Sequence, residues 1–211
     1  MIEPFYRDER ADITIFCGDA QKIMNELEPV GLVCTDPPYG LDNWKSGGGH
    51  SLSPDEVEEI AAWDIVPDKL ALASCINISD EAIIWGWGYL AHMLPRCAAP
   101  LIWNKGFRGL HCADAELAWT SLTGTARVYD LHPSSSDARG VRQHPTQKPT
   151  ALMRWCIERS KTDGVVLDPF MGSGTTLRAA KDLGRPAIGI DISEKYCRIA
   201  VQRLGQEVFA W

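Results

Sequence analysis

The sequence predicts an α/β fold: a mostly parallel sheet of about seven strands, with an antiparallel strand at one edge and helices on both faces. Three observations lead there. Strand-like apolar runs alternate with helical segments along most of the chain, the pattern that builds a covered sheet. Val30 to Thr35 and Ala82 to Gly86 are apolar without interruption, as expected of strands buried on both faces. A third run, Val165 to Leu167, leads into Gly172 and Gly174 and then a helix, the junction through which such a sheet approaches a nucleotide.

Each element follows from local pattern. Asp12 to Cys17 places Ile13 and Ile15 on one face of a strand, and Ala20 to Leu27 forms a short helix before the strand Val30 to Thr35. A polar stretch from Asp42 to Ser53, centred on Gly47, Gly48 and Gly49, cannot pack and is expected to be a mobile loop. Ser53 followed by Pro54 has the form of a helix start; the helical segment runs to about Ile78, with a break near Asp64 to Pro67. After the strand Ala82 to Gly86, the segments Leu101 to Asn104, Glu116 to Leu122 and Arg127 to Leu131 read as short strands. Short turns join them, which predicts that they are antiparallel to one another. Leu131 to Thr146 is a second polar loop. Pro149 opens a helix to about Ser160, followed by strand Val165 to Leu167, helix Thr175 to Leu183, strand Pro186 to Ile190 and helix Glu194 to Leu204.

Composition narrows the class. Of the 211 residues, 45% are apolar and 23% charged, which is globular and excludes disorder or a fibrous repeat. No repeat or linker divides the chain, so residues 1–211 read as a single domain. The longest strongly apolar stretch, Ala82 to Leu94, is too short to span a bilayer. Met1 to Arg10 lacks the apolar core of a secretory signal, so a cytoplasmic location is expected. Seven cysteines, at 17, 34, 75, 97, 112, 156 and 197, form no Cys-x-x-Cys pair, and reduced thiols are expected. His50, His111 and His132 have no ligand spacing, so no metal is expected. Most of the eight tryptophans, Trp85, Trp103 and Trp119 among them, are expected in the core, and Trp44 beside Lys45 in the loop. The net charge of −7 conceals a split: residues 1–95 carry −12, residues 96–161 carry +5, and the rest balance. A basic middle third is the footprint that nucleic-acid binding needs.

Two segments carry chemistry. The first runs from Val165 through Asp168, Pro169, Phe170, Met171, Gly172, Ser173, Gly174 and Thr175 to Thr176. A dinucleotide fingerprint would need Gly at 177, where Leu177 stands, and a phosphate-binding P-loop would need Lys where Thr175 stands. An acid at the strand end suits a cationic or hydroxyl-rich ligand, such as the amino-acid end of S-adenosylmethionine. Asp191 ends the next strand, about 20 residues on, where an acid accepts from ribose hydroxyls. The second segment is Asp36-Pro37-Pro38-Tyr39 after the buried strand. Two prolines remove two backbone donors, leaving an edge of acceptors that suits an NH2 group. Asp36 and the Pro37 carbonyl can accept both amine hydrogens and draw the nitrogen lone pair out of conjugation, while Tyr39 stacks on the base.

On these residues the chain resembles the amino-group DNA methyltransferases, which methylate adenine N6 or cytosine N4. Asp36-Pro37-Pro38-Tyr39 is similar to their catalytic tetrapeptide, and Asp168 to Thr176 to their S-adenosylmethionine motif. The resemblance implies a Rossmann-like methyltransferase fold and further roles. Asp19, after Gly18, would contact the cofactor's adenine; the His144 to Pro149 segment, with Thr146 and Lys148, would close over its methionine part; Asp191 would hold the ribose. Glu116 to Ser121 resembles a strand of phage and prophage members. The tetrapeptide precedes the cofactor motif, the permuted order of the β group, which separates the chain from glutamine and RNA guanine methyltransferases. Methylation at cytosine C5 would need a nucleophilic Cys, usually after Pro, and no Pro-Cys pair occurs.

The expectation is methyl transfer from S-adenosylmethionine to adenine N6 of double-stranded DNA, with cytosine N4 as the alternative. Because a paired base hides its amine, the base must flip out. DNA is expected along the basic segment within residues 105–146, on Arg108, Arg139 and Arg142, with Lys45 closing from the other side. A duplex held across a homodimer is the alternative arrangement. A methyltransferase for RNA or protein and a silent binding protein are the rival classes.

Overall fold

Along the central strands, alternate residues go to opposite faces of the sheet, and both sets are apolar. The structure is a computed structural model that describes residues 2–40, 64–106, 108, 113–133 and 147–205. Its strands are β1 (Tyr6–Asp8), β2 (Ile13–Cys17), β3 (Val30–Thr35), β4 (Ser79–Trp85), β5 (Leu101–Asn104), β6 (Ala115–Thr120), β7 (Arg127–Asp130), β8 (Val166–Asp168) and β9 (Ala187–Asp191). The helices are α1 (Ala20–Met24), α2 (Lys69–Asn77), α3 (Trp87–Leu90), α4 (Thr150–Arg159), α5 (Thr175–Asp182) and α6 (Glu194–Leu204). Leu32 and Cys34 of β3, with Ile83 and Trp85 of β4, pack with α4, α5 and α6. Val33, Ala82 and Ile84 pack with α1, α2 and α3 on the other face. Full burial of each large aliphatic side chain contributes about 1.5–3 kcal/mol, so the central strands anchor both layers.

The sheet order is β1-β2-β9-β8-β3-β4-β6-β5-β7. β2, β9, β8, β3 and β4 are mutually parallel, while β1 runs against β2, and β6 runs against both β4 and β5. The parallel block therefore delivers its carboxyl ends to one edge. Four neighbouring strands end there in or beside an aspartate: Asp19 after β2, Asp191 on β9, Asp168 on β8 and Asp36 after β3. A ligand of an open α/β sheet binds at this edge.

The expected fold holds, with differences that have local causes. Nine strands occur among the described residues rather than about seven. β1 escaped the reading because Tyr6, Arg7 and Asp8 show no apolar alternation; its pairing with β2 is made by backbone alone. The expected mutual antiparallel arrangement of the last short strands is corrected. β6 is antiparallel to β5, but β7 pairs with β5 in parallel. β6 fills the place between β4 and β5, so β7 can add only at β5's free side. Directly after β4, Trp87 begins a one-turn helix, because Gly86 turns the chain at φ 80°. The expected break before α2 is present, and Asp68 caps that helix by accepting from the Ala71 N–H at 2.8 Å. The loop at 42–53 and the Ser53-Pro54 helix start lie outside the described residues.

Candidate active site

The row of strand-end aspartates opens onto a cleft of 380 Å³, lined by Asp19, Asp36, Tyr39, Phe170, Gly172 and Asp191 among others. A smaller pocket of 50 Å³ shares Asp36, Phe170 and Gly172 with it and adds Lys148, Asp168, Ser173 and Thr175. Asp36 thus stands where the two spaces meet.

On one side, the carboxylates are held by neutral donors. Asp191 accepts from the Gly172 N–H at 3.0 Å and the Ser193 N–H at 2.8 Å, and burial raises its pKa against those bonds. Asp168 is buried and accepts from the Thr35 hydroxyl at 2.6 Å, the Thr176 hydroxyl at 2.5 Å and the Phe170 N–H at 3.1 Å. Burial pushes its pKa up to about 6. Asp19 is exposed and caps α1 by accepting from the Lys22 N–H at 2.9 Å. Gly174 opens α5 at φ 76°, where a Cβ would stand 2.8 Å from that of Ala200. Glycine is required there on both counts.

Arg203 of α6 lies beneath this turn. It donates to the hydroxyls of Thr175 at 2.8 Å, Ser173 at 3.3 Å and Thr150 at 3.0 Å. Ser173 in turn donates to Gln147 at 3.0 Å. Burial lowers the Arg203 pKa to about 10. One guanidinium thereby ties the glycine turn to the start of α4.

On the other side, the carboxylates are held by ammonium groups. Asp36 accepts from Lys148 Nζ at 2.6 Å, and the Tyr39 hydroxyl donates to its other oxygen. Burial raises the Asp36 pKa while the Lys148 charge opposes that rise. Lys148 is itself buried, and its Nζ lies 3.1 Å from Glu116 Oε2. Glu116 is also paired with Lys105, and the two ammoniums overcome burial to hold its carboxyl down at about 2. The Tyr39 ring stacks on Tyr89 with centroids 5.1 Å apart. It also rests on Gly86, where a Cβ would meet it at 2.0 Å. Behind the prolines, Asp64 accepts from the N–H groups of Tyr39 and Gly40 at 3.0 Å each.

The structure therefore gathers Asp19, Asp36, Pro37, Pro38, Tyr39, Lys148, Asp168, Phe170, Gly172, Ser173, Thr175 and Asp191 around the two connected spaces, with Gly174 forming the turn behind them. Lys148, expected over the cofactor's methionine part, has its ammonium on Asp36 and Glu116. Arg108 is exposed and donates weakly to Asn104 at 3.4 Å. Lys45, Arg139, Arg142 and Thr146 lie outside the described residues, as do Trp44, Cys112, His50 and His111. The six described cysteines are free thiols. Trp85, Trp103 and Trp119 are buried, as expected. No helix among the described residues is long and apolar enough to cross a membrane. Sequence reasoning missed Asp64, Glu116 and Arg203 as parts of the site. Their only signal was position: a break before a helix, a strand start, a helix end.

The fold is that of solved DNA methyltransferases. PvuII DNA methyltransferase, which is cytosine-N4-specific, superposes with a TM-score of 0.68 at 17% identity, covering 99% of this chain and 91% of that one. The M1.HpyAVI–SAM complex gives 0.61 at 24% identity, covering 92% and 100%. The family model described as DNA methylase, of the N6/N4 type, matches residues 84–202. The Type II methyltransferase M2.DpnII of Streptococcus pneumoniae is 52% identical over 98% of this chain and 94% of its own length. M2.LlaDCHI of Lactococcus lactis subsp. cremoris is 25% identical over 98% and 93%. The chain belongs to the N6/N4 DNA methylase family: it is a DNA methyltransferase.

Proposed function

We propose that the chain methylates the N6 amine of adenine in double-stranded DNA, on a base rotated out of the helix. The observation that carries this reading is the position of Asp36, followed by two prolines, at the junction of the large cleft and the small pocket. The cleft is within the size range of small-molecule sites, and its chemistry suits the cofactor. Each Asp191 oxygen accepts one backbone N–H and keeps a lone pair for a ribose hydroxyl. Asp19 and Phe170 flank the space for adenine. Asp168, Ser173, Thr175, Lys148 and Thr146 would hold the amino-acid end, with Gly172 and Gly174 letting the backbone approach. When bound, S-adenosylmethionine supplies a methyl group on a positively charged sulfur, which departs with the bonding electron pair as nitrogen takes the methyl.

The chain's own residues do the rest. Asp36 accepts one hydrogen of the amine and the Pro37 carbonyl the other, which turns the nitrogen lone pair out of conjugation. The proton shed by the methylated nitrogen goes to Asp36 or to water. Pro38 holds the turn rigid. Tyr39 offers its ring to the flipped base; such stacking contributes about 1–3 kcal/mol, against a few kcal/mol for unstacking. Lys45, Arg108, Arg139 and Arg142 are assigned to the DNA, and a duplex shared by two copies is the alternative that oligomeric state on DNA would separate. An enzyme of this kind works in the cytoplasm, where bacterial DNA is.

Adenine is preferred over cytosine because the tetrapeptide begins with Asp. Cytosine N4 is the second reading, since the cytosine-N4-specific PvuII enzyme has the same fold. Modified-base sequencing of DNA from cells expressing the protein decides between them. N6-methyladenine at one short motif is expected; N4-methylcytosine would replace the first reading with the second.

A further inference from the structure

The carboxylate that must receive the target amine already carries one donor on each oxygen. Lys148 Nζ donates to Asp36 Oδ2 at 2.6 Å, and the Tyr39 hydroxyl donates to Oδ1. Each oxygen keeps a lone pair, but an amine that used one would enter beside the Lys148 ammonium unless that ammonium withdraws. Tyr39 is held by its ring, which stacks on Tyr89 and touches Gly86. Lys148 is different, because its ammonium has a second carboxylate in reach: Glu116 Oε2, 3.1 Å from the same nitrogen. Glu116 sits on β6, the strand that runs against β4, and is anchored by Lys105, whose Nζ lies 4.9 Å from the Trp103 ring centroid.

Burial makes the second carboxylate necessary. Lys148 is only 6% exposed, and a buried ammonium that loses its only counter-ion is strongly penalised. With one carboxylate in reach it would stay clamped on Asp36 and compete with the substrate. With two, it can slacken its hold on one while keeping the other. We propose that Glu116 is a positioning residue that retains Lys148 when the target amine takes its place on Asp36. This inference rests on the reading of Asp36 as the amine's acceptor. Until substrate enters, the Lys148 charge opposes the effect of burial on Asp36; afterwards Glu116 keeps Lys148. Glu116 is suited to this because its own carboxyl stays ionised, with two ammoniums against it.

The test compares turnover on amplified, unmethylated DNA at saturating S-adenosylmethionine, with S-adenosylhomocysteine binding measured by calorimetry. Glu116→Gln is expected to lower turnover at least tenfold and to leave S-adenosylhomocysteine affinity within twofold of wild type. Adding Lys148→Gln to that variant removes the clamp, so the double variant should turn over faster than Glu116→Gln alone. A purely structural Glu116 would give no such rescue. Glu116→Asp keeps the charge, and is expected to recover most of the lost turnover; it also serves if the Gln variant does not fold. Wild-type turnover in Glu116→Gln, or a double variant no faster than the single, overturns the proposal. A wild-type protein that transfers no methyl group to DNA overturns the underlying reading, and this inference with it.

Discussion

The two halves of the site solve the same problem in opposite ways. Around β8 and β9, buried acids are held by neutral donors: Asp168 by two hydroxyls and an N–H, Asp191 by two N–H groups. Around β3 and β6, acids are held by ammoniums in a chain from Asp36 through Lys148 and Glu116 to Lys105. Neutral donors orient a carboxylate without cancelling its charge, so the negative field remains for a cationic ligand. Ammonium partners cancel the charge, but they can be exchanged among carboxylates. On the proposed reading, the half that would hold the cofactor is built to hold still, and the catalytic half to trade partners. Burial prevails at Asp168, at about 6, and two ammoniums prevail at Glu116, at about 2, while at Asp36 burial outweighs the one ammonium.

The largest effect should separate the halves outright. Asp36→Ala is expected to lower turnover by about 10²–10⁴-fold, the usual range for a lost proton acceptor, while calorimetry finds S-adenosylhomocysteine bound as in wild type. Asp191→Ala should do the reverse first, weakening S-adenosylmethionine and S-adenosylhomocysteine alike because both carry the ribose. Equal losses of binding in both variants would erase the division.

A smaller effect concerns acidity. Asp168 titrates at about 6 when folded, against an ordinary value of 3.8. The folded state therefore binds the proton more tightly. The associated stability is fully present below about pH 4 and is lost as pH rises through 6, to the extent of about 3 kcal/mol. Thermal unfolding should show the melting temperature falling over that window, and Asp168→Asn should flatten the fall. An unchanged pH profile in the variant would mean that the neutral donors, rather than burial, govern this acid.

The smallest effect should come from Tyr39→Phe. It removes one hydrogen bond to Asp36 and leaves the ring on Tyr89 and Gly86. A net hydrogen bond is worth about 0.5–1.5 kcal/mol, so turnover should fall by about two- to tenfold with little change in stability. A loss as large as that of Asp36→Ala would show that the hydroxyl, and not only the ring, is indispensable to the catalytic half.

Much of this was legible before any coordinates. The buried strands 30–35 and 166–168 announce themselves by apolar runs, and the acids and glycines that follow them are contiguous with those runs. Where a strand end and the residues that follow it are neighbours in sequence, local pattern places both, which is why Asp36, Asp168, Gly172 and Asp191 could be put at one sheet edge from the chain alone. The short edge strand β1 and the parallel pairing of β7 with β5 were not legible, because backbone hydrogen bonds that ignore side-chain identity make them.

The sequence by itself determined the sheet's apolar strands, the row of strand-end acids and the glycine turn, since each is encoded within a few residues of itself. Only the tertiary structure decided which distant charges meet. Lys148 reaches Asp36 across 112 positions, and Arg203 reaches Ser173 across 30. Nothing in the local pattern of Glu116, at the start of a half-buried strand, announces that it faces the same lysine. Such pairings depend on strand order: β6 must lie beside β4, and the segment before α4 must return to the edge where β3 ends. Charge complementarity is a property of positions in space, and packing the two helical layers onto one sheet fixes those positions.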